Sequence, residues 1–361
     1  MAEMKEEYFT IFENIRKNHA NTIVNSINNK ILIVDFLNCF IRGFCGSPAM
    51  NNNGEHIGGI TGFLYSMGNA IRMFGATRCI LVSDGENSAA RKRKIYPDYK
   101  QKRSVKKFRT NRQYDFKDES QERQAMHLQM QILLEYLDHM PLQLVTANAS
   151  EADDVISYIA KDVFCKSKNE VIIMSSDKDF LQLVDERINV WSPTKKKLYT
   201  PKSILDEYGV HPNNFLFYRT LDGDKSDNIP GVNGVGLKTL KKYMPFFGEE
   251  KKTNLNEIIE FAEKQNEGKK KLKFFENIAE SKDILIMNEK LMQLETANIS
   301  GSNKAKIREQ LRKEIKLLNK PKIQLLYIRD GLSNAMSDIN SWLLQTFAKL
   351  NSYAQNRNGE L

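Results

Sequence analysis

Residues 31–35 read ILIVD, residues 79–84 read CILVSD and residues 171–177 read VIIMSSD, and these three stretches decide the fold class. Each is an aliphatic run that leads, directly or through serine, to an aspartate. A run without polar alternation predicts a strand buried on both faces, as in a parallel sheet covered by helices. Helical patterns at 124–140 and 151–164 alternate with these runs. The chain is therefore predicted to be α/β, with a mostly parallel central sheet flanked by helices.

Acidic residues end these strands and recur in later segments. In open α/β sheets, ligands bind beyond the carboxyl ends of the strands, so acids that end neighbouring strands should converge there. Two carboxylates about 4 Å apart repel by about 4 kcal/mol at an effective dielectric near 20, so such a cluster needs cations. Oxygen ligands without histidine suit Mg²⁺ or Mn²⁺ better than zinc. The predicted metal ligands are Asp35, Asp84, Glu151, Asp153, Asp154, Asp177, Asp179, Asp224 and Asp227.

Ser150 precedes three of these acids and is a residue type that often begins a helix. We predict that Ser150 is the N-cap of the helical pattern at 151–164. The acids of this group would then lie in a first helical turn, where the helix dipole favours negative charge.

A basic segment follows the second predicted strand. The 361-residue chain carries a formal charge of +9, and eleven lysines and arginines lie between residues 91 and 112 against a single acid. Such a segment predicts an exposed excursion that contacts phosphates, with Tyr96, Tyr99 and Phe108 stacking on unpaired bases. The nucleic-acid contacts predicted here are Arg91, Lys102 and Arg103. A solvated charge run is the alternative interpretation.

The sequence GVNGVGLKT, residues 231–239, lies between two helical patterns. A glycine-rich turn that enters a helix presents backbone amides to a phosphate and lets a nucleic-acid backbone approach closely. This is typical of helix-hairpin-helix binding, and an ordinary glycine-rich turn is the alternative. The predicted duplex-binding residues of this turn are Gly231, Gly234, Gly236, Lys238 and Thr239.

Two further features bear on the compartment. No stretch approaches the roughly 18–20 consecutive apolar residues of a membrane span, and the first residues lack the apolar run of a signal peptide. The four cysteines form no CxxC pair, so we expect free thiols in a reducing compartment. These features predict a cytoplasmic protein with no membrane partner.

The acidic motifs also carry a family resemblance. The segments IVDF (33–36), VSD (82–84), EADD (151–154), SDKDF (176–180) and GDKSDNIPG (223–231) resemble those of the flap endonuclease and 5′-3′ exonuclease family, in the family's order. The tail segment 327–342 is most similar to the ribonuclease H-type 5′ nuclease branch of T-even-like phages. The resemblance extends over about residues 30–345.

The resemblance implies a fold and a domain organisation. It implies a PIN-like 5′ nuclease core with a helical arch and a helical C-terminal region that contains a helix-hairpin-helix, or helix-three-turn-helix, motif. The expected division is an N-terminal extension at 1–29, a core at 30–200 with the arch at about 88–119, a duplex-binding region at 201–319 and a C-terminal helical tail at 320–361.

The resemblance also implies roles for the site residues. Two Mg²⁺ ions, replaceable by Mn²⁺, are implied, with Asp154 between their two ligand sets. The arch residues Lys92, Arg93 and Lys100 are implied to steer the scissile phosphate, and K⁺ to bind at the Gly231–Gly236 turn. The first ion is assigned to Asp35, Asp84, Glu151, Asp153 and Asp177, and the second to Asp179, Asp224 and Asp227.

The implied function is that of a structure-specific 5′-3′ exonuclease and flap endonuclease, which removes RNA primers and adjacent DNA from lagging-strand fragments. Its implied partners are flap, forked or nicked DNA, RNA/DNA duplex, a single-stranded DNA-binding protein at the C-terminal helices and a sliding clamp at the N-terminus. A phage-encoded chain would act in the host bacterial cytoplasm. A non-catalytic structure-specific DNA-binding protein and a PIN-type ribonuclease are the alternatives.

Overall fold

One sheet organises the described part of the chain. The computed structural model describes residues 29–101, 116–166, 168–267, 272–296 and 298–355. Its strands are β1 (Lys30–Asp35), β2 (Arg78–Asp84), β3 (Gln143–Ala147), β4 (Glu170–Met174), β5 (Ile188–Ser192) and β6 (Lys197–Tyr199). The strand order is β3-β2-β1-β4-β5-β6, with β6 alone antiparallel to its neighbour. The predicted mostly parallel sheet is confirmed, and the three acid-ending stretches form the adjacent strands β2, β1 and β4.

Helices connect and cover these strands. The helices of the first half are α1 (Phe36–Gly46), α2 (Gly58–Phe74), α3 (Ala90–Ile95), α4 (Glu119–Leu137) and α5 (Ala152–Tyr158). Those after the sheet are α6 (Pro201–Tyr208), α7 (Pro212–Asp222), α8 (Leu237–Tyr243), α9 (Leu255–Asn266), α10 (Lys273–Glu280), α11 (Lys282–Met292), α12 (Gly301–Arg312), α13 (Lys320–Arg329) and α14 (Ile339–Gln355). The helix predicted at 151–164 ends earlier as an α-helix, because a π-helical turn, Ile159–Val163, follows α5. Of the predicted arch, α3 is described, and residues 102–115 lie outside the described residues.

Both faces of the sheet are buried, each in its own hydrophobic core. Alternate residues of β1 point to opposite sides, so Ile31 and Ile33 join one core and Leu32 and Val34 the other. The first core is completed by helices of the region after the sheet, and the second by α1, α2, α4, α13 and α14. Trp342 of α14 is among the buried residues of the second core. The C-terminal helices are therefore an integral layer of the fold.

The outer edge of β3 is covered by α12. The side-chain amide of Gln310 accepts a hydrogen bond from Thr146 N at 3.1 Å and donates one to Thr146 O at 2.9 Å. At the start of β2, the buried Arg78 donates to Leu311 O at 2.7 Å and to the side chain of Gln143. These bonds attach α12 to the outer edge of β3 and to the amino end of β2.

Helices α1 and α2 pack closely because glycines face each other at the crossing. A Cβ atom on Gly62 would lie 2.8 Å from the Cα of Gly43, and one on Gly43 would lie 3.0 Å from the backbone N of Phe63. Both obstacles are backbone atoms, which cannot rotate away. The crossing therefore requires glycine.

The remaining expectations concern cysteines and membranes. Cys39, Cys45, Cys79 and Cys165 are free thiols, as predicted. Among the described residues, no helix is both long and apolar enough to span a bilayer.

The helix crossing gives a stability prediction. Gly62→Ala should lower the free energy of unfolding by about 1–3 kcal/mol, the usual cost of overpacking a close contact. Gly46→Ala is the matched control on α1, because its added Cβ would meet no atom within 4 Å. Urea denaturation of both variants checks the prediction, and equal stability of the two would contradict it.

Candidate active site

The carboxyl ends of the three central strands each carry an anchored carboxylate. Asp35 accepts hydrogen bonds from Asn38 N at 3.3 Å and from Ser175 Oγ at 2.8 Å. Asp177 accepts one from Asp179 N at 2.9 Å. The backbone thus fixes each acid where its strand ends, as the sequence predicted.

The acid that ends β2 also determines where α5 begins. Asp84 Oδ1 accepts a hydrogen bond from Ala152 N at 2.7 Å. Glu151, rather than Ser150, occupies the N-cap position, and its side chain makes no capping bond. The predicted Ser150 cap is therefore wrong, because Asp84 from the neighbouring strand supplies the acceptor that a capping side chain normally provides. Asp153 and Asp154 do lie in the first turn of α5.

Glu151 is paired with two lysines from the basic segment. Its carboxylate is 2 % exposed, lies 2.5 Å from Lys92 Nζ and also accepts a hydrogen bond from Lys100 Nζ. Lys92 Nζ lies 3.8 Å from Asp153 as well. Burial alone would raise the pKa of Glu151, but the charges and hydrogen bonds of the two lysines lower it to about 2. These lysines therefore neutralise the α5 side of the cluster.

Arg219 of α7 does the same on the opposite side. Its guanidinium donates to Asp179 Oδ1 at 2.7 Å and to Asp224 Oδ2 at 2.6 Å. Burial would raise the pKa of Asp224, but hydrogen bonds from Ser226 and the charge of Arg219 lower it. Asp224 and Asp227 lie in the loop that follows α7, and Asp224 Oδ1 also accepts from Asp227 N at 3.2 Å. The loop is thus folded around the Asp224 carboxylate.

Two acids that end strands, Asp35 and Asp177, have raised pKa values. Burial, and then the charge of Asp84, raise the pKa of Asp35 to about 6, although Ser175 and Asn38 donate hydrogen bonds to it. Burial and the charge of Asp179 raise the pKa of Asp177 to about 7, and Asp35 and Asp227 add to the effect. Because each acid is close enough to influence the next, the predicted residues form one cluster.

Tyr99 is a member of this cluster that the sequence interpretation assigned to another role. It was expected to stack on bases, but it is 1 % exposed. Its hydroxyl donates towards Glu151 Oε2 at 3.1 Å and Asp227 Oδ2 at 3.3 Å. The ring packs among Leu216, Ile229 and helix α11 residues. Tyr99 therefore connects the basic segment to the acids and is not available for stacking.

The basic residues separate into those inside the cluster and those outside it. Lys92 is buried and Lys100 adopts a left-handed backbone, φ +59°, that directs it to the acids. Arg93 is exposed on the other side of α3, and the ion pairs of the acid cluster in the described ranges do not include it. Arg91 pairs with the buried Asp154 at 3.2 Å. Lys102, Arg103 and Phe108 lie outside the described residues.

Arg219 was missed from the sequence altogether. It interrupts the apolar run Phe215 to Leu221, in which every residue is buried. A charged residue in such a run must find a buried partner, and that interruption is the signal that could have identified it.

The glycine turn has the predicted form. Gly231, Gly234 and Gly236 are exposed, while Val232 and Val235 between them are buried. Gly234 has a positive φ of +74°, which favours glycine. Thr239 Oγ1 accepts from Gly236 N at 3.0 Å and so fixes the entry into α8, next to the exposed Lys238. The turn therefore presents backbone to solvent at the start of a helix.

The donor set fits a hard divalent cation, although its present pairing is with basic side chains. All predicted ligands are carboxylates, which such ions prefer, and they outnumber the basic side chains Arg91, Lys92, Lys100 and Arg219 that pair with them. In the described ranges, no three acidic, histidine or cysteine side chains are yet arranged to hold a metal ion. Lys92, Lys100 and Arg219 bind carboxylate oxygens there, so an ion must compete with these side chains.

Two sequence models identify the family. The 5′-3′ exonuclease N-terminal resolvase-like domain matches residues 30–209, and the 5′-3′ exonuclease C-terminal SAM fold matches residues 210–314. The chain belongs to the 5′-3′ exonuclease family. The protein is accordingly a nuclease, a hydrolase of phosphodiester bonds.

Individual relatives agree with this assignment. The 5′-3′ exonuclease of Buchnera aphidicola subsp. Schizaphis graminum is 31% identical over 219 residues, which cover 59% of this nuclease and 70% of the relative. The flap endonuclease Xni of Shewanella sp. (strain MR-4) is 29% identical over 268 residues, covering 74% and 91%. The bacteriophage T5 D15 flap endonuclease, solved in complex with DNA and metal ions, has a TM-score of 0.62 and 21% identity, covering 78% of this chain and 98% of that one. The T5 likeness establishes the shared fold.

The lysine pairing can be tested by stability. Lys92→Met leaves Glu151 buried with Lys100 as its remaining cation. The free energy of unfolding without metal should therefore fall by about 2 kcal/mol. This is less than the roughly 3–5 kcal/mol expected when a buried carboxylate loses its single cationic partner. Lys94→Met, on the exposed side of the same helix, is the control. Denaturation in EDTA measures both, and a Lys92→Met chain as stable as the control would exclude the pairing.

Proposed function

We propose that this nuclease is a structure-specific 5′-3′ exonuclease and flap endonuclease acting on RNA/DNA and DNA/DNA duplexes. The observation that carries the proposal is the convergence of carboxylates from β1, β2, β4, α5 and the loop after α7 beside the basic helix α3. A cluster of acids next to lysines suits a reaction in which cations bind a phosphodiester. The removal of RNA primers and adjacent DNA from lagging-strand fragments requires this combination of duplex and flap cleavage.

Two Mg²⁺ ions, with Mn²⁺ as a substitute, are the cofactors of the proposal. Bound ions of this kind activate water and stabilise the charge that develops on the transferred phosphate. Asp154, which pairs with Arg91, would lie between the two ligand sets. The ligands of the first ion would be Asp35, Asp84, Glu151, Asp153 and Asp177, and those of the second Asp179, Asp224 and Asp227.

Lys92 and Lys100 would hold the scissile phosphate. Each now pairs with Glu151, and an arriving phosphate offers both a second anionic partner. Lys100 is held close to the acids by a hydrogen bond from its backbone N to Asp227 O at 2.9 Å. The two lysines would thus orient the phosphate and, in turning towards it, release Glu151. The exposed Arg93 would contact the nucleic acid further from the reacting phosphate.

The DNA duplex would bind at the glycine turn. Gly231, Gly234 and Gly236 would admit the sugar-phosphate backbone, with Lys238 and Thr239 beside them at the start of α8, and K⁺ would bridge the turn and a phosphate. We assign residues 201–319 to this duplex-binding role and the basic segment 88–119, with Lys102 and Arg103, to the single-stranded 5′ end. The proposed substrates that supply the duplex and the 5′ end are flap, forked or nicked DNA and RNA/DNA duplex.

Protein partners are the remaining part of the proposal. Two large apolar side chains of α13, Leu325 and Ile328, are 64 % and 72 % exposed. We assign this surface to a single-stranded DNA-binding protein and residues 1–29 to a sliding clamp. Both partners, and a phage origin, would locate the nuclease in the bacterial cytoplasm.

A cleavage assay tests the enzymatic proposal. The natural chain with Mg²⁺ should cut a 5′-labelled flap duplex near its junction, and EDTA or Asp177→Asn should lower the rate by at least about 100-fold, because the cluster loses its cation or a central ligand. Asp206→Asn, an exposed acid on α6, is the matched control and should cut normally.

The same assay separates the alternatives. Flap binding without cleavage in any lane would establish a non-catalytic DNA-binding protein. Faster cleavage of single-stranded RNA than of flaps would instead favour a PIN-type ribonuclease.

The partner assignments can be tested by binding. A Leu325→Ser, Ile328→Ser double variant should lose affinity for the single-stranded DNA-binding protein, and a chain that begins at residue 30 should lose affinity for the clamp. Each variant should keep the other interaction, which controls for folding. Pull-downs in which both variants retain both partners would contradict the assignments.

A further inference from the structure

Arg219 is the only basic side chain in the described part of the chain that bridges Asp179 and Asp224. Its Nε donates to Asp179 Oδ1 at 2.7 Å, its Nη2 to Asp224 Oδ2 at 2.6 Å and its Nη1 to the carbonyl of Gly223 at 3.1 Å. The side chain is 5 % exposed. One planar guanidinium therefore holds a carboxylate that follows β4 and one in the loop after α7.

The contacts of Asp224 leave little capacity for another cation. Its Oδ1 accepts hydrogen bonds from Ser226 N and from Ser226 Oγ, each at 2.6 Å, while its Oδ2 accepts from Arg219. A divalent ion that uses Asp224 must therefore compete with donors that belong to the chain. For Asp179, the competing donor at Oδ1 is Arg219.

Arg219 differs from the lysines on the other side of the cluster in how it is attached. Lys92 belongs to α3, a helix of six residues, and Lys100 belongs to the segment that follows it. Arg219 belongs to α7, whose neighbouring residues Tyr218, Thr220 and Leu221 are all buried. A phosphate at α3 would offer the lysines another anionic partner, whereas the guanidinium of Arg219 is bonded to Asp179, Asp224 and the carbonyl of Gly223.

We propose that Arg219 is a positioning residue that sets the affinity of the second divalent ion. It keeps Asp179 and Asp224 in place before the ion arrives and competes with the ion for their oxygens. The second ion is therefore held more weakly than the first. The inference rests on the proposed two-ion site and assigns a determinant of its metal affinity to the chain itself.

Metal binding without DNA tests the inference. Mn²⁺ titration of the full chain, followed by the electron paramagnetic resonance signal of free Mn²⁺, should give a tight and a weak site. Arg219→Gln should tighten the weak site about tenfold or more, because a unit charge close to two carboxylates is worth at least that at an effective dielectric near 20. Arg219→Lys keeps the charge and should stay close to the natural value.

Arg78→Gln is the matched control. Arg78 is also buried, but its hydrogen bonds go to neutral groups, the side chain of Gln143 and the carbonyl of Leu311. It begins β2, about 20 Å from the acid that ends the same strand. Its loss should lower the melting temperature and leave both Mn²⁺ affinities unchanged.

Thermal unfolding supplies a second measurement, which does not depend on the titration of free Mn²⁺. Arg219→Gln should melt at a lower temperature than the natural chain in EDTA, and Mn²⁺ should raise its melting temperature by more than it raises that of the natural chain. If Arg219 had only a structural role, Mn²⁺ would raise the melting temperature of Arg219→Gln by less than that of the natural chain, because disordered ligands bind metal more weakly. An unchanged or weakened second site, or an equal Mn²⁺-induced rise, would overturn the inference.

The two proposals fail in different measurements. Absence of Mg²⁺-dependent flap cleavage by the natural chain would refute the proposed function. Unaltered Mn²⁺ binding in Arg219→Gln would refute the role of Arg219 and leave that function standing.

Discussion

Repulsion among carboxylates at one edge of the sheet is the constraint on which the surrounding structure depends. Parallel strands bring their terminal acids together. The repulsion between these partly buried carboxylates must be offset by hydrogen-bond donors and cations. Backbone amides, serine hydroxyls and four basic side chains supply that offset. The same contacts attach α3, α5 and the loop after α7 to the sheet. The site is therefore also the junction that holds these elements in register.

This internal neutralisation matters for a nuclease because its substrate is a polyanion. An uncompensated group of carboxylates would repel the phosphate backbone that it must approach. Lys92 and Lys100 reduce that charge from the side of the basic segment, and Arg219 reduces it from within the core. The site can thus stay assembled before ions and DNA bind. The lysines are suited to exchange partners during a reaction, whereas the guanidinium is suited to remain.

The sequence predicted the parts of this site that depend on position along a strand. Asp35, Asp84 and Asp177 could be found because a strand end is visible as the end of an aliphatic run. The face of α3 that points towards the acids could not be found in this way. The helix sequence ARKRKI has charged residues on all sides and no apolar stripe, so Arg93 was grouped with Lys92. Tyr99 and Arg219 depend on contacts between distant segments, which no local pattern records. The predicted N-cap of α5 was wrong for the same reason, because the side chain that accepts the hydrogen bond from Ala152 N is Asp84 of β2.

The Gln310 amide on the edge of β3 has a consequence for solubility. A bare edge strand offers its unpaired amides and carbonyls to a second chain and can seed aggregation. Gln310 binds both backbone groups of Thr146 as a neighbouring strand would, and it does so from a helix, which cannot propagate the sheet. Helix α12 thus also shields this edge of the sheet from association with other copies. A proteolytic nick that freed α12 would expose this edge and turn the nuclease into a template for aggregation.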